Sequence, residues 1–291
     1  MAITSEMVRD LREKTGCGMM DCKRALAETS GDMEKAVDVL RKKGLATAAK
    51  KAERVATQGV VGSYINSEKG IGVLLEANCE TDFVAKNPDF QSFVSQLAAH
   101  IADNEPADVN SLLEQNFAKS PDKKVGDVLK ETIAKFGENT LVGRFSRYEA
   151  PKGLVESYIH LNGKIGVLVE LDSDKASADG LKALAKDIAL QIAASRPMCL
   201  SRDEVPAQVL DRERSILKEQ ALAEGKPEKI IEKMIEGRLG KFYAEICLLD
   251  QPFIKEPEKK ISDIIKEASS KLGGNIVVKR FTRYQIGEKT Q

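Results

Sequence analysis

The feature that most constrains the fold is that the sequence states one pattern twice. Gly59-Val60-Val61-Gly62-Ser63-Tyr64-Ile65, followed by Ile71-Gly72-Val73-Leu74-Leu75-Glu76, returns 94 positions later as Gly153-Leu154-Val155-Glu156-Ser157-Tyr158-Ile159 and Ile165-Gly166-Val167-Leu168-Val169-Glu170. Each pair sets β-branched and aromatic residues around a polar, glycine-containing turn, which is the pattern of a β-hairpin. The copies also close alike. Val125-Gly126-Asp127-Val128-Leu129-Lys130-Glu131, leading to Arg144-Phe145-Ser146-Arg147-Tyr148, returns 136 positions later as Ile261-Ser262-Asp263-Ile264-Ile265-Lys266-Glu267, leading to Arg280-Phe281-Thr282-Arg283-Tyr284. Two copies of one unit are therefore expected, each a hairpin, helices and a third strand, with a small antiparallel sheet that carries helices on one side. The predicted class is α+β.

The two offsets differ by 42 residues, so the second copy carries an insertion, at about 202–248. There Val209, Ile216 and Ala223 lie seven apart, Gly225-Lys226-Pro227 makes a stop and a restart, and Ile230, Ile231, Met234 and Ile235 resume on a second helix. An inserted antiparallel coiled-coil hairpin is the expectation. Its apolar stripe either projects as an arm for self-association or docking, or folds back on its own unit.

Ahead of the repeat, three helices are predicted. Thr4 or Ser5 caps the first, the second runs from about Met19 to Glu28, and Asp32 caps the third, whose Met33, Ala36, Val37 and Leu40 recur at helical spacing. Gly16, Gly18, Gly31 and Gly44 punctuate these pieces, and beyond Gly44 the Ala- and Lys-rich run 46–54 reads as a solvated helical linker. The expected division is 1–54 for the three-helix unit and linker, 55–150 for the first core subdomain, and 151–291 for the second with its insertion. More than one core is natural in a chain of 291 residues.

Charge and composition narrow the function. Lys+Arg and Asp+Glu both number 45, so the chain has no net field for a polyanion, and nucleic acid is not expected as the main ligand. The five cysteines, Cys17, Cys22, Cys79, Cys199 and Cys247, are odd in number and never spaced as C-x-x-C, against a disulfide framework or zinc site and in keeping with a reducing cytoplasm. No secretory signal, transit peptide or membrane-length apolar stretch is read. Neither phosphate-binding glycine loop occurs, metal-ligand spacing is absent, and the two histidines, His100 and His160, sit in unrelated segments without a nucleophile partner. The expectation is a chain with no cofactor, metal or catalytic constellation, one that acts through surfaces. Two rivals are an adaptor built on the three-helix unit and an RNA-binding translation protein using Lys42, Lys43, Lys50, Lys51 and Arg54.

One short connector stands out as a surface. Thr81-Asp82-Phe83-Val84-Ala85-Lys86 follows the second strand of the first copy, and Asn87 with Pro88 at the first helical position and Asp89 in the first turn starts the next helix. The second copy has Asp172-Ser173-Asp174-Lys175-Ala176 there, without an aromatic. A residue that one twin has and the other lacks is not demanded by their shared fold. Phe83 either caps the local core or faces outward.

Leu11-Arg12-Glu13-Lys14-Thr15-Gly16-Cys17-Gly18-Met19-Met20-Asp21-Cys22-Lys23, then Thr81-Asp82-Phe83-Val84-Ala85-Lys86-Asn87, then Glu236-Gly237-Arg238, Lys241-Phe242 and Gln251-Pro252-Phe253, give the chain its resemblance to the elongation factor Ts family over nearly its whole length. That resemblance implies an N-terminal three-helix unit of the ubiquitin-associated type, two pseudo-repeated core subdomains and a coiled-coil arm through which the chain would dimerise. It implies a guanine nucleotide exchange factor for elongation factor Tu rather than an enzyme. It also implies roles. Asp82 and Phe83 match the pair that intrudes near the partner's magnesium and phosphate site, with Thr81 and Val84 completing that element. Arg12, Met19, Met20 and Lys23 match contacts to the partner's GTPase domain, and His160 matches a contact to another of its domains. Met19 and Met20 suit a partner surface by their flexibility, although burial in the three-helix core suits one of them as well. Some members carry a further C-terminal helical module, and this sequence ends at Gln291, so no contact is carried over from it.

Overall fold

Three short helices with one apolar stripe each bury those stripes against one another. In a computed structural model that describes residues 3–174, 179–224 and 227–288, they are α1 (Ser5–Thr15), α2 (Met19–Glu28) and α3 (Met33–Lys51). The Thr4 hydroxyl accepts from the Met7 N–H, and the Asp32 carboxylate accepts from the Lys35 N–H, so α1 and α3 start where their caps dictate. Val8, Leu11, Cys22, Ala25, Leu26, Ala36 and Leu40 form their common core.

The first repeat follows as β1 (Gln58–Asn66), β2 (Ile71–Cys79), α4 (Asp82–Ala85), α5 (Pro88–Asn104), α6 (Val109–Glu114), β3 (Asn116–Phe117), β4 (Ser120–Lys124), α7 (Val125–Phe136) and β5 (Thr140–Glu149). The second comprises β6 (Leu154–His160), β7 (Ile165–Ser173), α8 (Asp179–Ser195), the inserted α9 (Ala207–Ala223) and α10 (Glu228–Ile246), then β8 (Pro252–Phe253), β9 (Glu256–Lys260), α11 (Ile261–Leu272) and β10 (Ile276–Gln285). Each copy builds an antiparallel three-stranded sheet, ordered β1-β2-β5 and β6-β7-β10. The α+β class is the observed one. The small ribbons β3–β4 and β8–β9 were not foreseen, because a two-residue strand is too short to show alternation.

The central strands explain why the pattern is a continuous apolar run. Ile71, Val73, Leu75, Ala77 and Cys79 of β2 face α5, where Phe90, Val94, Leu97 and Ile101 meet them. Ile165, Val167, Val169 and Leu171 of β7 do the same against Leu181, Leu184, Ile188 and Ile192 of α8. The opposite faces of the two sheets pack on each other through Val61, Leu74, Tyr148, Val155, Leu168 and Tyr284. A strand covered on both faces has no polar side to alternate with.

This contact obeys a pseudo-two-fold, since Val61 and Val155, Leu74 and Leu168, and Tyr148 and Tyr284 are twins at the repeat offsets. It resembles an isologous dimer interface within one chain. Tyr284 Oη bonds Ser146 Oγ at 2.8 Å, and Tyr148 Oη bonds the twin position, Thr282 Oγ1, at 2.6 Å. The Arg144 guanidinium lies 4.2 Å from the Tyr284 ring centre, and Arg280 lies 4.1 Å from that of Tyr148. Gly72 and Gly166 are also twins, and neither leaves room for a side chain. A Cβ on Gly72 would fall 2.4 Å from Val155 Cγ1, and one on Gly166 the same 2.4 Å from Val61 Cγ1.

The run after Gly44 departs from expectation. It is the second half of α3 rather than a separate linker, and one side of it is docked rather than solvated. Ala48 is buried, a Cβ on Gly44 would lie 3.0 Å from Ala134 Cβ on α7, and the Lys51 ammonium donates to the Gly137 carbonyl. Small residues at positions 44 and 48 let the two helices approach closely, which outweighs the break that glycine alone suggests.

In the insertion, α9 and α10 pack on each other through Leu217, Ala221, Ile231 and Leu239. Ion pairs cross between Arg214 and Glu236 at 3.4 Å and from the end of α9 at Glu224 to Arg238 at 2.9 Å. The turn read at Gly225-Lys226 lies outside the described residues. At the base, Cys199 and Cys247, far apart in sequence, bring their sulfurs to 3.6 Å as free thiols. Burial pushes the Cys247 thiol up to about 12, so both stay protonated at neutral pH. Arg202 grips Asp250 with two bonds of 2.7 and 2.6 Å, and Lys260 adds a third at 3.0 Å.

Candidate functional site

The connector after β2 is a single helical turn, α4, and its amphipathic spacing decides what it shows to solvent. Thr81 is its N-cap, in extended conformation, and accepts from the Val84 N–H. Val84 and Ala85 point inward and join the first core. Phe83 points outward and is 83% exposed, which rules out the core-capping alternative. Asp82, half-buried, pairs with Lys86 at 2.6 Å, and the Lys86 hydrogen bond holds the Asp82 carboxyl below its ordinary value. The next helix begins at once, with the Asn87 side chain accepting from the Asp89 N–H. Of the four residues singled out here, Asp82 and Phe83 face outward while Thr81 and Val84 hold the turn from beneath. In the second copy the corresponding Lys175 and Ala176 lie outside the described residues.

The N-terminal candidates are all accessible. Met19 and Met20 open α2 with 57% and 64% exposure, so neither fills the three-helix core. Arg12, in the last turn of α1, and Lys23, on α2, are exposed as well.

His160 ends β6, exposed, with its ring stacked on Tyr158 at 5.7 Å and Nδ1 bonded to the Tyr158 hydroxyl at 2.9 Å. Ile159, Leu161, Met198 and Ile254 are exposed apolar residues that the sequence reading passed over. Leu161 stands where the first copy has Ser67, so the comparison of twins that picked out Phe83 carried the same signal here. The nine candidates are thus distributed over three units of the fold and do not converge on one cleft.

The other histidine is internal. His100 is 1% exposed; its Nε2 bonds Gln115 Oε1 at 3.0 Å, and its Nδ1 accepts from the Ala118 N–H at 3.2 Å. Among the described residues, no group of three or more His, Cys, Asp or Glu is arranged to hold a metal ion, and no helix is long and apolar enough to cross a membrane. Of the basic residues that prompted an RNA-binding reading, Lys43 pairs with Asp21 and Arg54 with Glu80, and Lys51 is spent on Gly137.

The described residues thus present exposed apolar side chains, Met19, Met20 and Phe83 among them, on well-buried scaffolds. The family model for elongation factor Ts matches residues 80–288. Elongation factor Ts of Clostridium kluyveri is 48% identical over 286 residues, covering 98% of this chain and 93% of its own length. That of Trichlorobacter lovleyi is 48% identical over 291 residues, covering 99% and 94%, and that of Magnetococcus marinus 49% identical over 288, again covering 99% and 94%. The chain belongs to the elongation factor Ts family of translation elongation factors, and its role lies in protein biosynthesis.

Proposed function

We propose that this chain binds elongation factor Tu carrying GDP and speeds release of the nucleotide, so that GTP can enter the vacated site in the cytoplasm. The observation that carries the reading is Phe83, a large apolar side chain 83% exposed on a turn whose other side is sunk in the core. Tightly held GDP owes its affinity to a cradle of backbone amides, a lysine and a magnesium ion that neutralises phosphate charge. Phe83 enters between helices of the partner. Asp82 exchanges Lys86 for groups behind the partner's magnesium and shifts the ligands that hold the ion. Without it the phosphates repel, and GDP leaves.

Arg12, Met19, Met20 and Lys23 grip the GTPase domain of the partner, while His160 meets another of its domains. Separated contacts of this kind supply binding energy that the tip spends on distortion. The chain makes and breaks no covalent bond. Linkage constrains the mechanism: by whatever ratio the factor weakens GDP, GDP weakens the factor. The test is release of a fluorescent GDP from elongation factor Tu. Adding this chain should accelerate release, and an unchanged release rate refutes the proposal.

A further inference from the structure

The turn that presents Phe83 is too short to hold itself, because four residues do not repay the cost of starting a helix. Its own cap bond, from the Val84 N–H to Thr81 Oγ1, is long at 3.4 Å. Thr81 is fixed from outside instead. Its N–H donates to Glu138 Oε2 at 3.0 Å, and its hydroxyl donates to Glu138 Oε1 at 2.6 Å. The Cys79 thiol donates to its carbonyl at 3.1 Å. Burial pushes that thiol up to about 11, which keeps the proton on sulfur at neutral pH.

Glu138 comes from the neighbouring strand: Cys79 of β2 pairs with Thr140 of β5, and Thr81 and Glu138 stand opposite each other two residues beyond that pair. Gly137 ends α7 in the left-handed region, at φ 73°, and turns the chain so that Glu138 and Asn139 lie just before β5. Asn139, 3% exposed, donates its N–H to Glu80 Oε1 at 2.6 Å and its side-chain amide to the carbonyls of Ala52 at 3.3 Å and Arg54 at 2.7 Å, just past α3. Arg54 faces Glu80 at 3.6 Å. The second copy reads Gly273-Gly274-Asn275 where the first reads Gly137-Glu138-Asn139. The shared fold therefore keeps the asparagine and the left-handed glycine but has no use for the carboxylate. Glu138, like Phe83, belongs to the first twin alone.

We infer that Glu138 is a positioning residue: through Thr81 it holds the α4 turn so that Asp82 and Phe83 are presented in one fixed attitude, and with Asn139 it ties that attitude to the end of α3. The effect on exchange rests on the function proposed above; the ordering of the turn does not. A tip that has to part helices in a partner loses effect if it yields, and preordering removes that loss.

The chain has no tryptophan, so Phe83→Trp gives one indole at the tip, read by time-resolved anisotropy in the free protein. Adding Glu138→Ala should raise the amplitude of nanosecond depolarisation on the order of twofold. Glu138→Gln, which keeps one acceptor oxygen, should raise it less. With Phe83 restored, Glu138→Ala should slow GDP release from elongation factor Tu on the order of tenfold at saturating factor, with the half-saturating concentration little changed. It should slow a Phe83→Ala chain no further. Unaltered indole motion, or slowing by the two substitutions that multiplies, overturns the assignment. If the wild-type chain leaves GDP release unchanged, the exchange function falls, and the anisotropy alone decides the role of Glu138.

Discussion

Phe83 costs the native state little to lose, because a side chain 83% exposed has almost nothing to give up on truncation. Phe83→Ala should therefore shift stability by no more than about 0.5 kcal/mol, while slowing GDP release on the order of tenfold or more, as loss of a buried interface aromatic does. Thermal melting beside a release assay separates the two, and an early-melting variant would make the residue structural. His100 behaves in the opposite manner. Burial holds its imidazole below the ordinary 6.5, so the unfolded chain takes up a proton at higher pH than the native one. Its contribution is complete above about pH 6.5 and is lost as pH falls through the lower native value. Urea midpoints should drop between pH 7 and pH 5, and His100→Gln should flatten that drop.

At the scale of elements, the seat of α3 on α7 and the base of the insertion each hang on a small contact. Gly44→Val places branched bulk where even a Cβ meets Ala134 at 3.0 Å. It should cost about 1–3 kcal/mol and raise hydrogen exchange in the second half of α3. Unchanged protection there would mean that α7 gives way freely. At the insertion, Arg202 holds the Asp250 carboxyl below its usual range, with Lys260 assisting. That stabilisation is present above about 3.8 and disappears as pH falls through the lower native value. Arg202 and Lys260 are half-exposed, so screening limits the worth of the cluster, and Asp250→Asn should cost about 1 kcal/mol at neutral pH. Denaturation at pH 7 and in acid should show the variant and the parent converging as the carboxylate protonates.

At the scale of the whole molecule, the two repeats act as a dimer that cannot dissociate. Gly72→Ala drives a methyl to 2.4 Å from Val155 Cγ1, and should cost about 1–3 kcal/mol. Val155→Ala removes the tightest of the contacts that methyl would make, leaving Ile65 and Leu168 at 3.0 Å, so the double variant should be more stable than the sum of the two single losses implies. Simple additivity in urea denaturation would show that the sheets do not meet as described. The same packing sets how far apart the exposed sites are held, since Phe83 leaves the first sheet and His160 the second.

The sequence on its own determined the main helices and hairpins and their duplication, though not the small ribbons or the full length of α3, because period, caps and repeated segments are local quantities written in neighbouring residues. Thr4 and Asp32 announced helix starts, the twin hairpins announced twin sheets, and Phe83 stood out as an aromatic that its twin position lacks. Only the tertiary structure decided which faces were buried. Val84 and Phe83 are adjacent and both apolar, yet one joins the core and the other meets solvent, because a single turn anchored at Thr81 has room beneath it for one of them. Gly44 read as a stop until α7 lay against it. Glu138 differs from its twin Gly274 as Phe83 differs from its own, but nothing local named its partner, since a carboxylate 57 residues from Thr81 meets it only when β5 pairs with β2.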